Sequence, residues 1–330
     1  MKHGVLVTGA SGFIGSAVVR HLVAEAFPVR ALVRAASRRH HLTALGVELV
    51  AGSINDAAAV RTALAPCRYL VHVAADYRLW ARDRREIFAA NVGGTRVVME
   101  EAHRARIERI VYTSSVATIE PRPDGSPADE SAFMPERAAS GAYQRSKIMA
   151  EALVREMAAQ GLPAVIVNPA TTIGPHDLRP TPTGRIIIAA ASGRIPAFVD
   201  TGLNLVHVDD VARGHVAALR GGRIGERYIL GGDNVRFARM LADIAGLVGR
   251  RPPWLRIPWY AALPVAWAAE SVARITGREP LASLEGVRHA RDCMFFSSAK
   301  AERELGLRTR PYPEALADAV AWFRGAGYLK

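Results

Sequence analysis

The stretch TGASGFIG, residues 8–15, constrains this chain more than any other. It follows a short apolar run, GVLV, and leads into FIGSAVVRHLVAEA, whose apolar residues recur at helical spacing. Strand, glycine turn and helix together form the opening of a βαβ unit. Gly9, Gly12 and Gly15 let the backbone turn tightly and approach a pyrophosphate, which then rests on the helix N-terminus. The spacing is G-x-x-G-x-x-G rather than G-x-G-x-x-G, and taken alone it also fits a structural turn.

The same alternation continues. VRALVR, VELVAG, YLVHVAA, RIVYTSS and PAVIVNPA read as short strands, with helical segments at 56–65, 86–105 and 140–160. Strands alternating with helices imply parallel pairing with helices on both faces. The expected fold is α/β: a Rossmann-type doubly wound parallel sheet with a smaller C-terminal substrate-binding region. Residues 1–170 are assigned to the dinucleotide-binding domain, with contributions from about 203–231. Residues 171–330, where Pro and Gly become frequent, are assigned mainly to substrate binding.

Composition narrows the classes of function. The chain has 330 residues, 50% hydrophobic and 22% charged, as an ordinary globular protein does. The formal net charge of +12 would suit nucleic acid or an anionic surface. The arginines are scattered, however, and no basic run with interleaved aromatics appears, so no nucleic-acid partner is expected. Cys67 and Cys293 give no disulfide framework, which fits a reducing compartment. The N-terminal apolar run is too short and too glycine-rich for a signal peptide, so a cytoplasmic location is expected. The histidines show no metal-ligand spacing, and no metal is expected.

Three positions carry the chemistry. Only four lysines occur, Lys2, Lys147, Lys300 and Lys330, yet Lys147 stands four residues after Tyr143 in a helical segment, on the same face. Eight tyrosines and four lysines predict about 0.1 such spacings by chance. A phenol near pKa ~10 is a poor acid–base at neutral pH, and a nearby ammonium lowers that value. Ser115 closes the strand before that helix, where ligands of open parallel sheets bind, and is placed to polarise a carbonyl that Tyr143 protonates. The second strand ends at Arg34, in a stretch, ALVRAASRRH, with no carboxylate for a ribose. Arginine there suits a 2′-phosphate, so NADP(H) is favoured and NAD(H) remains open.

These features resemble the extended short-chain dehydrogenase/reductase superfamily, the NAD-dependent epimerase/dehydratase family. HVAA, NVGGT, NPATTIGP, VHVDDVA and SSAKAERELGL add to the likeness over nearly the whole chain. HVAADYRLWARD, NPATTIGPHDLRPTPTGRII and FVDTGLNLVHVDDVARGH are most similar to the hopanoid-associated sugar epimerases, which are related to dihydroflavonol 4-reductases and 3β-hydroxysteroid dehydrogenases. The resemblance implies Ser115, Tyr143 and Lys147 as the catalytic set, with Lys147 also holding the nicotinamide ribose. It implies that Gly9, Gly12, Phe13 and Ile14 meet the pyrophosphate, that Ala74 and Ala75 line the cleft, and that Pro169 and Ala170 border the nicotinamide. Ser53 and Ile54 match an adenine-flanking pair in which many relatives carry Asp first.

One departure bears on substrate. Nucleotide-sugar epimerases usually read VRDYIHV, with the arginine on the nucleotide's phosphates; here GLNLVHV places Leu203 at that point. A diphosphate would need another cation, Arg179 or Arg185. Tyr77, Leu79 and Trp80 of DYRLW pack against an apolar ring or form a lid. Tyr77, Trp80, Asn168 and Arg179 are the candidate substrate contacts. The segment PPWLRIPWYAALPVAWAAESVARI reads as a core or pocket helix, with peripheral membrane contact as the alternative. The partner expected is a small-molecule substrate; a homodimer is left open. The reading is an NAD(P)-dependent oxidoreductase acting at a secondary alcohol or ketone, with a nucleotide-sugar epimerase that retains its cofactor, in hopanoid-associated metabolism, as the alternative. A nucleotide-sensing protein without turnover is disfavoured by the joint presence of Tyr143 and Lys147.

Overall fold

The computed structural model of the chain describes residues 4–37, 39–277, 280 and 282–329. Seven parallel strands form the main sheet: β1 (Val5–Thr8), β2 (Val29–Val33), β3 (Glu48–Ala51), β4 (Tyr69–His72), β5 (Arg109–Thr113), β6 (Ala164–Pro169) and β7 (Arg227–Leu230), in the order β7-β6-β5-β4-β1-β2-β3. The central strands are short apolar runs buried along their length because helices cover both faces.

On one face lie α1 (Phe13–Ala24) and the helix Val208–Gly221, packed on each other. Val7, Val18, Val71, Val111, Val211 and Val216 share that core. On the other face lie α2 (Ala57–Leu64), α3 (Gly94–Arg104) and α4 (Ala142–Ala159), joined by Leu6, Leu70, Val98, Ile110 and Val154. The expected doubly wound α/β fold is therefore present.

Beyond β6 the chain builds a second lobe. Strand Gly202–His207 pairs with Thr171–Ile173, Asp233–Arg236 and Cys293–Met294. Helices α5 (Pro182–Ala191), α6 (Phe237–Leu247) and α7 (Tyr312–Gly325) enclose a third core around Ile187, Met240, Leu316 and Phe323. Strand β7 and helix Val208–Gly221, though late in sequence, belong to the first lobe. Helices α8 (Trp259–Thr276) and α9 (Leu284–His289) pack on each other through Ala262, Ala266 and Val287. No helix among the described residues is long and apolar enough to cross a membrane.

Candidate active site

Strand order reverses between β1 and β4, so the crevice opens beyond the ends of those strands. Gly9 follows β1 with φ +70°, a left-handed conformation that disfavours side chains. A Cβ at Gly9 would lie 2.6 Å from the Ala74 nitrogen, so glycine is what lets the segment after β4 close on the turn. The Gly12 N–H donates to the Gly9 carbonyl at 2.9 Å, and Gly12 then begins α1. Gly12 offers no side-chain cap to α1, and the helix's first turn holds no acid. Its leading N–H groups and positive dipole end suit a pyrophosphate, so these residues fit the dinucleotide that the sequence implies. Phe13 and Ile14 form the helix's first turn, partly buried.

The other expected cofactor residues fall along this crevice. Arg34 is exposed immediately after β2. Ser53 and Ile54 follow β3, where the Ser53 hydroxyl accepts from the Asn55 N–H at 3.3 Å and Ile54 packs over Gly94. The Ala74 N–H donates to Thr8 Oγ1 at 3.3 Å, and Ala75 lies beside it, partly buried. Pro169 and Ala170 close β6, both buried.

Ser115, after β5, and Tyr143, in the first turn of α4, lie close enough for the Ser115 hydroxyl to act on the phenol. Ser115 Oγ also accepts from the Ala117 N–H at 3.1 Å, which leaves its own hydrogen to be donated. Lys147, buried one turn after Tyr143, donates to the Thr113 carbonyl at 2.9 Å and approaches the Tyr112 hydroxyl at 3.4 Å. Burial lowers the Lys147 ammonium to about 8. The Tyr143 phenol moves the other way from the sequence expectation. Burial pushes it above its ordinary value, the neighbouring Ser115 hydroxyl opposes the rise, and the Glu285 carboxylate adds to it. Desolvation outweighs the pull expected of Lys147 because that ammonium is turned to the Thr113 carbonyl.

Several groups that the sequence reading assigned no role support this centre. Glu285, buried on α9, accepts from the backbone N–H groups of Gln144 at 3.0 Å and Tyr143 at 3.4 Å, and so caps the helix that carries Tyr143 and Lys147. A Cβ at Gly141 would lie 1.9 Å from its carboxylate, so the helix start must be glycine for this approach. A π-helical turn at Ala89–Gly93 presents Asn91, whose side chain accepts from the Asp76 N–H and donates to the Asp76 carbonyl and Ser146. It thus ties the DYRLW segment to α4. His72, buried under the crevice, bonds Thr8 and Thr95 and stacks on Tyr112; burial drops it to about 3, so it is neutral.

The candidate substrate residues are not all brought together. Tyr77 is exposed, whereas Leu79 and Trp80 are partly buried, with Leu79 beside Gly286 of α9. Arg179 is exposed on the second lobe. Asn168, anticipated as a substrate contact, is wholly buried. Its amide donates to the Ser115 carbonyl, Thr118 Oγ1 and Glu151 at 3.1, 3.0 and 2.8 Å, and Glu151 pairs with buried Arg227 at 2.9 Å. Asn168 therefore braces the Ser115 loop from behind. Leu203 is partly buried against the second-lobe core. No cluster of three or more His, Cys, Asp or Glu able to hold a metal ion occurs among the described residues.

Known proteins resemble this chain over nearly its whole length. The family model described as "NAD dependent epimerase/dehydratase family" matches residues 5–231. A Synechocystis sp. protein named "Putative dihydroflavonol 4-reductase" is 44% identical over 98% of this chain and 95% of its own. "Sterol demethylase protein B" of Methylococcus capsulatus is 36% identical over 98% of this chain and 99% of its own. Among solved structures, PA4631, described as a nucleoside-diphosphate-sugar epimerase from Pseudomonas aeruginosa, superposes with TM-score 0.82 at 27% identity, covering all of both chains.

Proposed function

This chain belongs to the NAD dependent epimerase/dehydratase family, and we propose that it is an enzyme reducing an uncharged, largely apolar ketone or aldehyde, with NADPH as the preferred reductant. The observation that carries this reading is Leu203, an apolar residue packed on the second-lobe core where the resemblance to sugar epimerases calls for a phosphate-binding arginine. Tyr77, Leu79 and Trp80, in the segment after β4, add apolar side chains suited to such a substrate. The reductase-named relative at 44% identity supports the same class.

When bound, the nicotinamide supplies the hydride to the carbonyl carbon. Gly9, Gly12, Phe13 and Ile14 would hold its pyrophosphate, Arg34 a 2′-phosphate, Ser53 and Ile54 the adenine, and Ala74, Ala75, Pro169 and Ala170 the cleft walls. The chain's own work is at the carbonyl oxygen. Ser115 donates a hydrogen bond that orients and polarises it. Tyr143 delivers the proton, and burial keeps the phenol protonated at neutral pH, the form that donation needs. Lys147 places a cation against the end of β5 and would hold the ribose. A cytoplasmic site of action goes with this reading, since two cysteines without a disulfide framework suit a reducing compartment.

The likeness to PA4631 favours the second reading, sugar inversion with retained cofactor. A panel of apolar ketones and nucleotide sugars separates the two. Stoichiometric loss of NADPH with a ketone supports reduction; inversion of a sugar with no cofactor added supports the epimerase.

A further inference from the structure

Helix α8 is apolar on both of its faces. Its inner face, Ala262, Ala266 and Ala273, is buried, with Ala262 and Ala266 packed beside Val287 of α9. Its outer face carries Tyr260, Val265, Trp267, Val272 and Ile275, all exposed, Trp267 at 65% and Ile275 at 86%. Trp254, just upstream, is 84% exposed, and Leu255 beside it is also open. Seven of the twelve large apolar side chains exposed among the described residues thus fall within 254–275, five of them on α8 and two just before it. A helix on the surface of a water-soluble domain ordinarily turns a polar face outward, and an apolar outer face marks a docking surface. The expectation of a core or pocket helix therefore holds for one face only.

Charge identifies what covers the other. Arg250, Arg251, Arg256 and Arg274 are exposed around the patch. The acid within 250–276 is Glu270, which is buried and accepts from the Leu284 N–H at 2.8 Å. Arg256 is paired with Asp200 at 3.2 Å. A second copy of the chain laid on this face by a twofold axis would set like charges against each other. A surface that is apolar with an anionic rim has the complementary character. We propose that the outer face of α8, with Trp254 and Leu255, docks into the headgroup boundary of an anionic bilayer, lying on the membrane rather than crossing it. Tyrosine and tryptophan suit that boundary, their rings being apolar with one polar end. The docked helix rests on α9, whose Glu285 caps the catalytic helix, so the membrane contact lies one helix away from Tyr143. The inference does not depend on reductase chemistry; an epimerase with this face would dock in the same way.

The test is flotation of the full chain with phosphatidylcholine vesicles, with and without equimolar phosphatidylglycerol. The expected result is recovery with the anionic vesicles, weakened by added salt and reduced about tenfold or more in Trp254→Ser/Trp267→Ser/Ile275→Ser. Those positions are exposed, and an unchanged thermal melt confirms the fold. Should that variant misfold, quenching of wild-type tryptophan emission by brominated lipid gives the same answer without mutation. Failure to float with either vesicle and absence of quenching would overturn the proposal. So would equal binding by the triple variant, or a dimer that the triple variant dissociates while the wild type stays off vesicles.

Discussion

The Glu285 carboxylate accepts a hydrogen bond from the backbone N–H of Gln144 at 3.0 Å, joining the C-terminal part of the chain to the first turn of the helix that carries Tyr143 and Lys147. The contact satisfies helix N-terminal donors and places a negative charge beside the phenol. Glu285 is thus a positioning residue that also tunes Tyr143. Glu285→Gln keeps the shape and removes the charge. Proton donation requires the neutral phenol and is lost as pH rises through its pKa. Removing the anion lowers that pKa, so the alkaline limb of kcat should move to lower pH. An unchanged limb would mean that the carboxylate serves only to hold the helix.

Tyr143 and Ser115 should separate chemistry from binding. Tyr143→Phe is expected to lose about 10²–10⁴-fold or more in kcat, the scale of general acid catalysis, with cofactor affinity nearly unchanged. Ser115→Ala should lose about 10²-fold, as for one oxyanion donor. Cofactor titration by fluorescence beside steady-state rates checks both. Substantial turnover by Tyr143→Phe would remove it from the acid role.

Lys147 gives a prediction about stability. Its folded pKa is lowered from 10.5 to about 8, so the unfolded chain binds the proton more tightly. The charged form is penalised below pH 8, and stability from this group rises between about 8 and 10.5 as the unfolded state also loses its proton. Lys147→Met should therefore raise the Tm of the cofactor-free protein at pH 7 and have a smaller effect above pH 10, while abolishing catalysis and weakening cofactor binding. The lost charge-assisted bond to Thr113 offsets part of that gain, about 1.5–3 kcal/mol. Melts at the two pH values decide it; a lower Tm at pH 7 would contradict the account.

The proposed preference for NADPH rests on Arg34, exposed immediately after β2 in a stretch without a carboxylate. Arg34→Ala should weaken NADPH binding roughly tenfold or more and leave NADH nearly untouched, since a charge-assisted bond contributes about 1.5–3 kcal/mol. Equal affinity of the unmutated protein for the two cofactors would sink the assignment.

What the sequence disclosed was what is local. The glycine turn announces itself because strand, turn and helix are contiguous, and the Tyr143–Lys147 spacing is one helical turn. Alternating apolar runs were enough to anticipate the parallel sheet. Glu285 could not be anticipated, because nothing near it in sequence marks a residue that will cap a helix 142 positions earlier. Asn168 shows the complementary problem: it stood among the candidate substrate contacts, and only the fold reveals Glu151 and Arg227 behind it. The direction of the Tyr143 shift was misread for the same reason, since burial and the Thr113 carbonyl that engages Lys147 are tertiary facts. On α8, alanine-rich periodicity hid which face is covered, as both faces are apolar.

The most direct test of the central claim follows the hydride. Reduction moves one hydride from NADPH to the substrate carbon and releases the oxidised cofactor once per turnover, whereas an epimerase returns the hydride to its own intermediate and keeps the cofactor. The measurement uses NADPH deuterated at the transferable C4 position with an apolar ketone that the protein turns over. The account predicts deuterium on the new carbinol carbon, one oxidised cofactor released per alcohol formed, and loss of both in Tyr143→Phe. Inversion of a nucleotide sugar with no deuterium incorporated and no NADPH consumed, alongside inertness toward every ketone, would contradict it.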